Sequence, residues 1–425
     1  MKLVSTAFLG ALLTLLRMLT GFIVTKFVAV SVGPNGVALL GQLQSFVAGV
    51  NGLIANQIGQ GVVRFTAEHV DSGYETTKEW WSAATSLLII TISMSSIGII
   101  LMSEYLSLWL FNNKSLYWIL IVVGLSLPFN AMNSIFLGVL NGLNENKKNI
   151  STSMISVCFT TAVTMVLLYI WGLSGGLFAV AINNAIAAVV VIIKIYRLPW
   201  FKFRYWFSKV DNSKKKIFAG YMLMGIIGAL TGPTAVITIR NMISSAISID
   251  AAGMWQAVTR ISDAYLAMFT IGIGLYYFPK AAAIKISCEL KKETKLVMLS
   301  LMPLLFTAIT CIYYFRDFII HLLYSEDFYS ARDLFFPQLI GDVFRLLSFV
   351  PASILLAKGY FKLNALAEII INLLFVSFSY ALLQQDNGLI SVNIAYALVY
   401  FFYLIFSICF FFYHCHQLKT VGCCR

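Results

Sequence analysis

Charged residues are scarce in this sequence. They make up 11% of the 425 residues, whereas hydrophobic residues make up 60%, and a soluble domain typically carries about a quarter charged residues. The mean hydropathy is +0.85. This composition excludes a sizeable soluble domain and predicts a polytopic membrane protein. The apolar segments are long and lack strict alternation, which excludes a β-barrel and predicts an all-α fold.

Several motifs of enzymes and metal proteins are also absent. No GxxxxGK[ST] loop is present, so ATP is not expected to drive the protein directly. The tail Tyr413–His416 with Cys423 and Cys424 matches no standard zinc spacing. The loop from Arg316 to Arg332 is too short for a catalytic domain. We therefore expect no cofactor and no metal, reduced cysteines, and a protein that is not an enzyme.

Apolar windows of about 20 residues predict twelve transmembrane helices, six in each half of the chain. The predicted spans are 6–30, 36–63, 80–103, 117–140, 150–171, 175–194, 217–246, 252–279, 296–315, 333–357, 364–384 and 389–413. They define an N-terminal lobe at 1–194, a basic cytoplasmic interfacial linker at 195–216, a C-terminal lobe at 217–413 and a cytoplasmic tail at 414–425.

A short pattern recurs almost half the chain apart, in Ile58–Phe65 and Ile271–Phe278. It places a Gly-x-Gly near corresponding helix ends, which indicates two related halves, an arrangement from which many transporters build a central site. For the glycines themselves, the favoured interpretation is close packing of helices. These glycines are Gly59, Gly61, Gly272 and Gly274.

The distribution of basic residues predicts the orientation. If the N-terminus is cytoplasmic, most of the 30 lysines and arginines lie on the cytoplasmic side and only Lys114, Arg316 and Arg332 on the other. Both termini are therefore expected in the cytoplasm. The net charge of +12 follows from this topology and does not indicate nucleic acid. The segment Lys194–Lys216 mixes aromatics with cations, which predicts a linker lying on anionic lipid.

Charges inside the spans are the candidate functional residues. A charged residue at the bilayer centre costs about 2.5–3.5 kcal/mol on insertion scales, so each must face water, a partner or a ligand. The cations are Arg17, Lys26, Arg240, Arg260 and Arg345. The carboxylates are Asp263, Asp342 and Glu368.

Two interpretations of these charges remain open. In the structural one, the i,i+3 neighbours on one helix face neutralise each other, Arg260 with Asp263 and Asp342 with Arg345, and Lys26 merely snorkels to the interface. In the functional one, the excess of cations forms a central cationic cavity between the two halves. Its cargo would be anionic, and phosphate is the group that arginine binds best.

Six segments carry a resemblance to a known family: Gly253-Met-Trp-Gln256, Ile261–Leu266, Ser31–Gly36, Arg332–Phe335, Gln338–Val343 and Ala367-Glu368. They resemble Wzx-type flippases, particularly the enterobacterial common antigen (lipid III) branch. The resemblance covers essentially the whole chain. It implies the MATE-like fold of the multidrug/oligosaccharidyl-lipid/polysaccharide (MOP) exporters, with two six-helix lobes around a cavity that opens alternately to either side.

The resemblance also implies a cargo. It is an undecaprenyl-diphosphate-linked oligosaccharide, an O-antigen or common antigen repeat unit, moved from the cytoplasmic to the periplasmic leaflet of the bacterial inner membrane. O-antigen polymerase and chain-length regulator proteins would be partners. Arg260 stands where the common antigen branch tends to have a small polar residue, which favours an O-antigen repeat.

The main hypothesis is that the intramembrane cations bind the diphosphate. Asp263 and Asp342 would hold neighbouring arginines and release them to the cargo, and protonation of Asp263, Asp342 or Glu368 would couple export to the proton gradient. The alternatives are a MATE-like cation-coupled drug antiporter, which should present unpaired carboxylates in its N-terminal lobe, and a membrane scaffold, which needs no positive interior.

Overall fold

The computed structural model describes residues 2–53, 57–70, 73–208, 211–385 and 388–418. Every long element in these ranges is an α-helix. The helices are α1 (Lys2–Val32), α2 (Pro34–Asn51), α3 (Gln57–His69), α4 (Tyr74–Leu101), α5 (Ser103–Phe111), α6 (Tyr117–Gly142), α7 (Asn146–Ile195), α8 (Asn212–Ala246), α9 (Ile249–Ala283), α10 (Ser287–Tyr314), α11 (Arg316–Leu323), α12 (Phe335–Ala357), α13 (Phe361–Leu383) and α14 (Ile390–Gln417).

Within the described ranges, nine helical segments are long and apolar enough to cross a membrane. The expectation of an all-α, multi-span membrane protein is therefore confirmed. The window predicted at 36–63 is divided between α2 and α3, and the tail cysteines Cys423 and Cys424 lie outside the described residues. The cysteines that the structure describes are free thiols, as expected: Cys158, Cys288, Cys311, Cys409 and Cys415.

The predicted break between the spans 150–171 and 175–194 coincides with a kink in α7. Gly172 has φ 56° and ψ −139° inside the helix, a conformation that is strongly disfavoured for residues with a Cβ. Nearby, a Cβ on Gly175 would lie 2.6 Å from the carbonyl carbon of Leu167. Two glycines therefore allow the chain to turn sharply while α7 continues.

The chain forms two compact units. Unit 1 comprises the chain up to Val32 together with Leu39–Ile237, and unit 2 comprises Gly33–Ala38 together with the chain from Thr238 onward. In unit 1, α7 packs against α1 and α6, and α6 packs against α3 and α4. In unit 2, α12 packs against α9, α10 and α14. The predicted boundaries of the two lobes, the linker and the tail remain a prediction.

The linker predicted at 195–216 contributes aromatic side chains to the core of unit 1. Trp200, Tyr205 and Trp206 are buried in the same apolar cluster as Trp81. The rings of Trp81 and Trp206 stack, with centroids 5.3 Å apart. Burying large aromatic rings is one of the main sources of packing energy. This part of the linker is therefore folded onto unit 1, a contact that the sequence analysis did not predict.

One buried serine of α4 fixes the linker backbone. The Ser82 hydroxyl donates to the Tyr205 carbonyl at 3.0 Å and accepts from the Ser208 N–H at 3.1 Å. On the other side of the same segment, Phe203 and Phe207 are exposed and stack on each other. The interfacial role of the linker remains a prediction for this exposed aromatic side.

Replacing Ser82 with alanine should loosen the linker. The Tyr205 carbonyl and the Ser208 N–H would lose their buried partner, which costs about 1–3 kcal/mol for a group left unsatisfied. Trypsin should then cleave after Lys202 or Arg204 several-fold faster in limited proteolysis. Ser86→Ala is the matched control, because the Ser86 hydroxyl donates only to the Ala83 carbonyl of its own helix. Equal cleavage rates in both variants would contradict this assignment.

The glycines of the repeated pattern have different surroundings in their two copies. A Cβ on Gly59 would lie 2.5 Å from the Ser134 Oγ, and one on Gly61 would lie 2.7 Å from the Phe218 ring. For Gly272 and Gly274 a Cβ would meet no heavy atom of the described chain within 4 Å. The close-packing interpretation is therefore confirmed for the pair in α3 and wrong for the pair in α9.

Candidate functional site

A buried carboxylate organises the middle of unit 2. Asp342 on α12 is fully buried. One of its oxygens accepts a hydrogen bond from the Tyr265 hydroxyl on α9 at 2.6 Å, and the other accepts from the Tyr396 hydroxyl on α14 at 2.8 Å and from the Gln338 amide at 3.3 Å. The Asn393 amide extends this network by donating to the Gln338 carbonyl oxygen at 2.8 Å. Neutral donors from three helices therefore satisfy this carboxylate.

Arg345 joins this network through a tyrosine and meets a second carboxylate. Its Nη1 donates to the Tyr396 hydroxyl at 3.2 Å and to Asp263 Oδ1 on α9 at 2.9 Å. The guanidinium also lies 5.6 Å from the centre of the Tyr400 ring, within range of a cation–π interaction. The buried end of the network thus orients Arg345, and its outer end is an ion pair with Asp263.

These contacts correct the expected direct partner of Arg345, while Asp263 still interacts electrostatically with Arg260, as expected. The sequence analysis assigned Asp263 as the holder of Arg260 and Asp342 as the direct partner of Arg345. In the structure the ion pair joins Asp263 to Arg345, while Asp342 reaches Arg345 through the Tyr396 hydroxyl. An i,i+3 spacing only makes a pair possible, and the packing of α9 against α12 brings a different partner within reach.

The ion pair faces a cavity of about 460 Å³ in unit 2. Asp263 and Arg345 supply its charges, and Leu266, Leu346 and Phe349 are among its apolar wall. The two charged side chains remain accessible, since 56% of Asp263 and 37% of Arg345 is exposed. An anionic ligand that enters the cavity can therefore reach Arg345 and compete with Asp263 for its guanidinium.

A larger cavity lies in unit 1, with a volume of about 570 Å³. Arg17 on α1 lines it and is exposed. The remaining walls come from α2, α6 and both segments of the kinked α7. Among the described residues that line it there is no Asp or Glu. An anion can therefore approach Arg17 without meeting a carboxylate from this wall.

Other predicted site residues occupy different environments. Arg240 is 3% exposed, donates to the Gln256 side-chain carbonyl and lies over the Trp255 ring at 5.9 Å. It organises the interior of unit 2, and its contact with a cargo remains a prediction. Three further predicted site residues, Lys26, Arg260 and Glu368, are half-buried. The predicted roles of the two cations in binding a cargo, and of Glu368 in proton coupling, remain predictions.

The sequence analysis missed the neutral polar residues of both cavities and of the Asp342 network. Tyr265, Gln338, Asn393 and Tyr396 all lie within apolar spans, as do asparagines of α6 and α7. Amides and hydroxyls inside a span are costly unless they are paired. Their position inside apolar spans is visible in the sequence, but they carry no formal charge.

Sequence comparison now identifies the family. The polysaccharide biosynthesis protein family matches residues 3–285 of this chain, which is more than half of its length. The chain belongs to this family. The family match confirms the resemblance to Wzx-type flippases.

Two curated relatives cover most of the chain. The "Lipid III flippase" of Escherichia coli (strain K12) is 25% identical over 409 residues, which is 96% of this chain and 97% of that protein. The "Putative O-antigen transporter" of Shigella flexneri is 22% identical over 385 residues, 88% of each chain.

Solved structures agree with the predicted fold. A MATE family multidrug resistance transporter of the MOP superfamily superimposes with a TM-score of 0.80 at 13% identity, covering 98% of this chain and 99% of that one. A MOP superfamily transporter from Pyrococcus furiosus superimposes with a TM-score of 0.64 at 14% identity, over 97% of this chain and 94% of that one. At such identities these structures establish the MOP fold and no shared substrate.

Proposed function

We propose that this protein is a flippase for an undecaprenyl-diphosphate-linked oligosaccharide. The observation that carries the proposal is the accessible Arg345–Asp263 pair, held by a buried network at the wall of a cavity. The relatives named as a lipid III flippase and an O-antigen transporter support the same cargo class. The cargo would be an O-antigen or common antigen repeat unit, carried from the cytoplasmic to the periplasmic leaflet of the inner membrane.

The proposed topology has twelve crossings. The helices α2 and α3 together form one crossing, and the kinked α7 forms two. The crossings form two six-helix lobes that alternately open a central cavity to each side. Both termini lie in the cytoplasm, as the distribution of lysine and arginine requires. The O-antigen polymerase and a chain-length regulator act on the product and are the proposed protein partners.

Arg345 captures the diphosphate by an exchange of partners. A phosphate oxygen replaces Asp263 in a charge-assisted hydrogen bond to the guanidinium, while Tyr396 keeps the arginine oriented. Protonation of Asp263 would release Arg345 in the same way, which makes Asp263 the leading site of proton coupling among Asp263, Asp342 and Glu368. Arg17 provides a second anion contact in unit 1.

Transport in proteoliposomes tests the function. Undecaprenyl-diphosphate-linked oligosaccharide, extracted from a producing host, is supplied in one leaflet, and a lectin that recognises its sugars detects arrival in the other. We expect arrival at a rate well above that of protein-free vesicles. Ethidium, a cationic drug, serves as the competing substrate under an imposed proton gradient. Ethidium transport without transfer of the lipid-linked oligosaccharide would overturn the proposal in favour of a drug antiporter.

The structure favours the flippase over the antiporter in one specific respect. A cation-coupled drug antiporter should present unpaired carboxylates in its N-terminal lobe. The unit 1 cavity offers Arg17 and neutral polar side chains in its described wall instead. A cationic drug would be repelled there, whereas a sugar diphosphate would not.

A further inference from the structure

The unit 1 cavity is polar but nearly uncharged. Of the described residues that line it, Arg17 alone is ionisable, while asparagine, threonine and serine supply most of the other side chains. Asparagine amides each offer donors and an acceptor, and hydroxyls offer both. A volume of about 570 Å³ is within the range of sites that hold small organic ligands. Such a wall suits an occupant with many hydroxyl groups and little charge.

The threonines of this wall act as acceptors. Thr160, Thr161 and Thr164 line the cavity from α7. The hydroxyls of Thr160 and Thr161 donate to the Val157 carbonyl at 3.1 and 2.7 Å, and that of Thr164 donates to the Thr160 carbonyl at 2.8 Å. Each hydroxyl proton is therefore used within the helix, and the oxygen lone pairs remain for a donor from the cavity.

Two asparagines of α6 line the cavity, and the side-chain oxygen of one of them has no hydrogen-bond donor in the described part of the chain. Asn130 donates to the Asn51 side-chain oxygen at 2.5 Å. Asn133 lines the same cavity, and its Oδ1 is buried with no hydrogen-bond partner among the described residues. Buried amide oxygens in proteins are nearly always paired. This one has no protein donor among the described residues, and a hydroxyl group that reaches the amide from the cavity would satisfy it.

We propose that the unit 1 cavity is a carbohydrate subsite, which holds the sugar nearest the diphosphate of the cargo. This inference rests on the proposed function. A sugar bonded to a phosphate presents neutral hydroxyls beside a single negative group, which matches amides and hydroxyls beside a single arginine. A cationic drug finds no carboxylate in this described wall, and a purely apolar chain would leave its polar groups unsatisfied.

Paired binding measurements test the subsite. The full-length protein in nanodiscs is titrated with undecaprenyl diphosphate that carries no sugar and with the same carrier loaded with its oligosaccharide. Wild type should bind the loaded carrier at least about tenfold more tightly, because several hydrogen bonds, each corresponding to about three- to tenfold in affinity, are added. Equal affinity for the two carriers would overturn the inference.

Two variants locate the effect. Asn133→Leu keeps the approximate volume and removes the unpaired amide, so its thermal stability should equal or exceed that of wild type. The combined Thr160→Val and Thr164→Val change removes two acceptors. Each variant should lose about fivefold or more in affinity for the loaded carrier and keep its affinity for the bare one. Thr91→Val is the matched control, because Thr91 lies on α4 and donates to its own helix.

The outcomes separate this inference from the proposed function. Loss of affinity for both carriers in Asn133→Leu would assign the cavity to the diphosphate or to the fold and overturn the carbohydrate subsite. Preference for the loaded carrier without transport of it in proteoliposomes would leave the subsite standing and overturn the flippase. Transport of the loaded carrier without any preference in binding would support the flippase and overturn the carbohydrate subsite.

Discussion

Replacing Arg345 with alanine is expected to lower transport of the lipid-linked oligosaccharide about 10- to 100-fold. The arginine would make charge-assisted hydrogen bonds to the diphosphate, and a hydrogen bond to a charged group is worth about 1.5–3 kcal/mol. The fold should tolerate the change, because Asp342 keeps its bonds from Tyr265, Tyr396 and Gln338. Initial transport rates in proteoliposomes, normalised to the amount of reconstituted protein, measure the effect.

Two further variants make this prediction specific. Arg345→Lys retains a charge but loses the planar fork that suits phosphate, so it should recover only part of the activity. Arg332→Ala removes another arginine of unit 2, whose Nε lies 3.7 Å from Asp317 Oδ1 in a partly exposed ion pair, and should transport at the wild-type rate. Near-normal transport by Arg345→Ala would rule out the exchange with Asp263 as the capture step.

Arg345 could be singled out as a candidate from the sequence, although its ion-pair partner could not. A charged residue in an apolar span is visible without a structure, because the cost of placing it in lipid demands an explanation. The identity of its partner depends on how α9 and α12 are rotated against each other. The sequence therefore indicated Arg345 and Asp263 separately and did not predict the ion pair between them.

Hydropathy predicted the all-α fold but not the packing of the linker. Long apolar runs predict helices because a membrane leaves the backbone few other ways to satisfy its hydrogen bonds. Aromatic and basic residues in the segment 195–216 are equally compatible with a membrane surface and a protein core. Trp200 and Trp206 are buried while Phe203 and Phe207 are exposed, so buried and exposed aromatic rings alternate along this short segment.

The two cavities that contain a predicted arginine differ in the side chains around that arginine. In unit 2, Arg345 is held beside an acid at an otherwise mainly apolar wall. In unit 1, Arg17 stands among amides and hydroxyls. Counting charges alone overlooks this second environment, because asparagine and threonine add nothing to the net charge. The arginines indicate an anionic cargo, and the amides and hydroxyls around Arg17 suit the hydroxyl groups of a sugar.

Replacing Gly253 with alanine is expected to destabilise unit 2 by about 3 kcal/mol, the upper end of the usual cost of overpacking. Gly253 is buried at the start of α9 and faces Pro34, which belongs to the same unit. A Cβ there would overlap the Pro34 carbonyl group, with its carbon 2.6 Å away. Backbone atoms cannot rotate aside as a side chain does, so α9 would have to move. Thermal unfolding of the purified protein measures the loss.

Gly272→Ala on the same helix should raise the stability of unit 2 instead of lowering it. A Cβ there meets no heavy atom of the described chain within 4 Å, and alanine favours a helix over glycine by about 0.5–1 kcal/mol. The two substitutions make the same chemical change in α9 and differ only in what surrounds it.

Equal stability of both variants would refute the close approach of α9 to Pro34. A loss confined to Gly253→Ala would show that the segment Gly253–Gln256, which carries much of the family resemblance, is constrained first by packing. The nearby Arg240–Gln256 contact would then depend on that packing for its position.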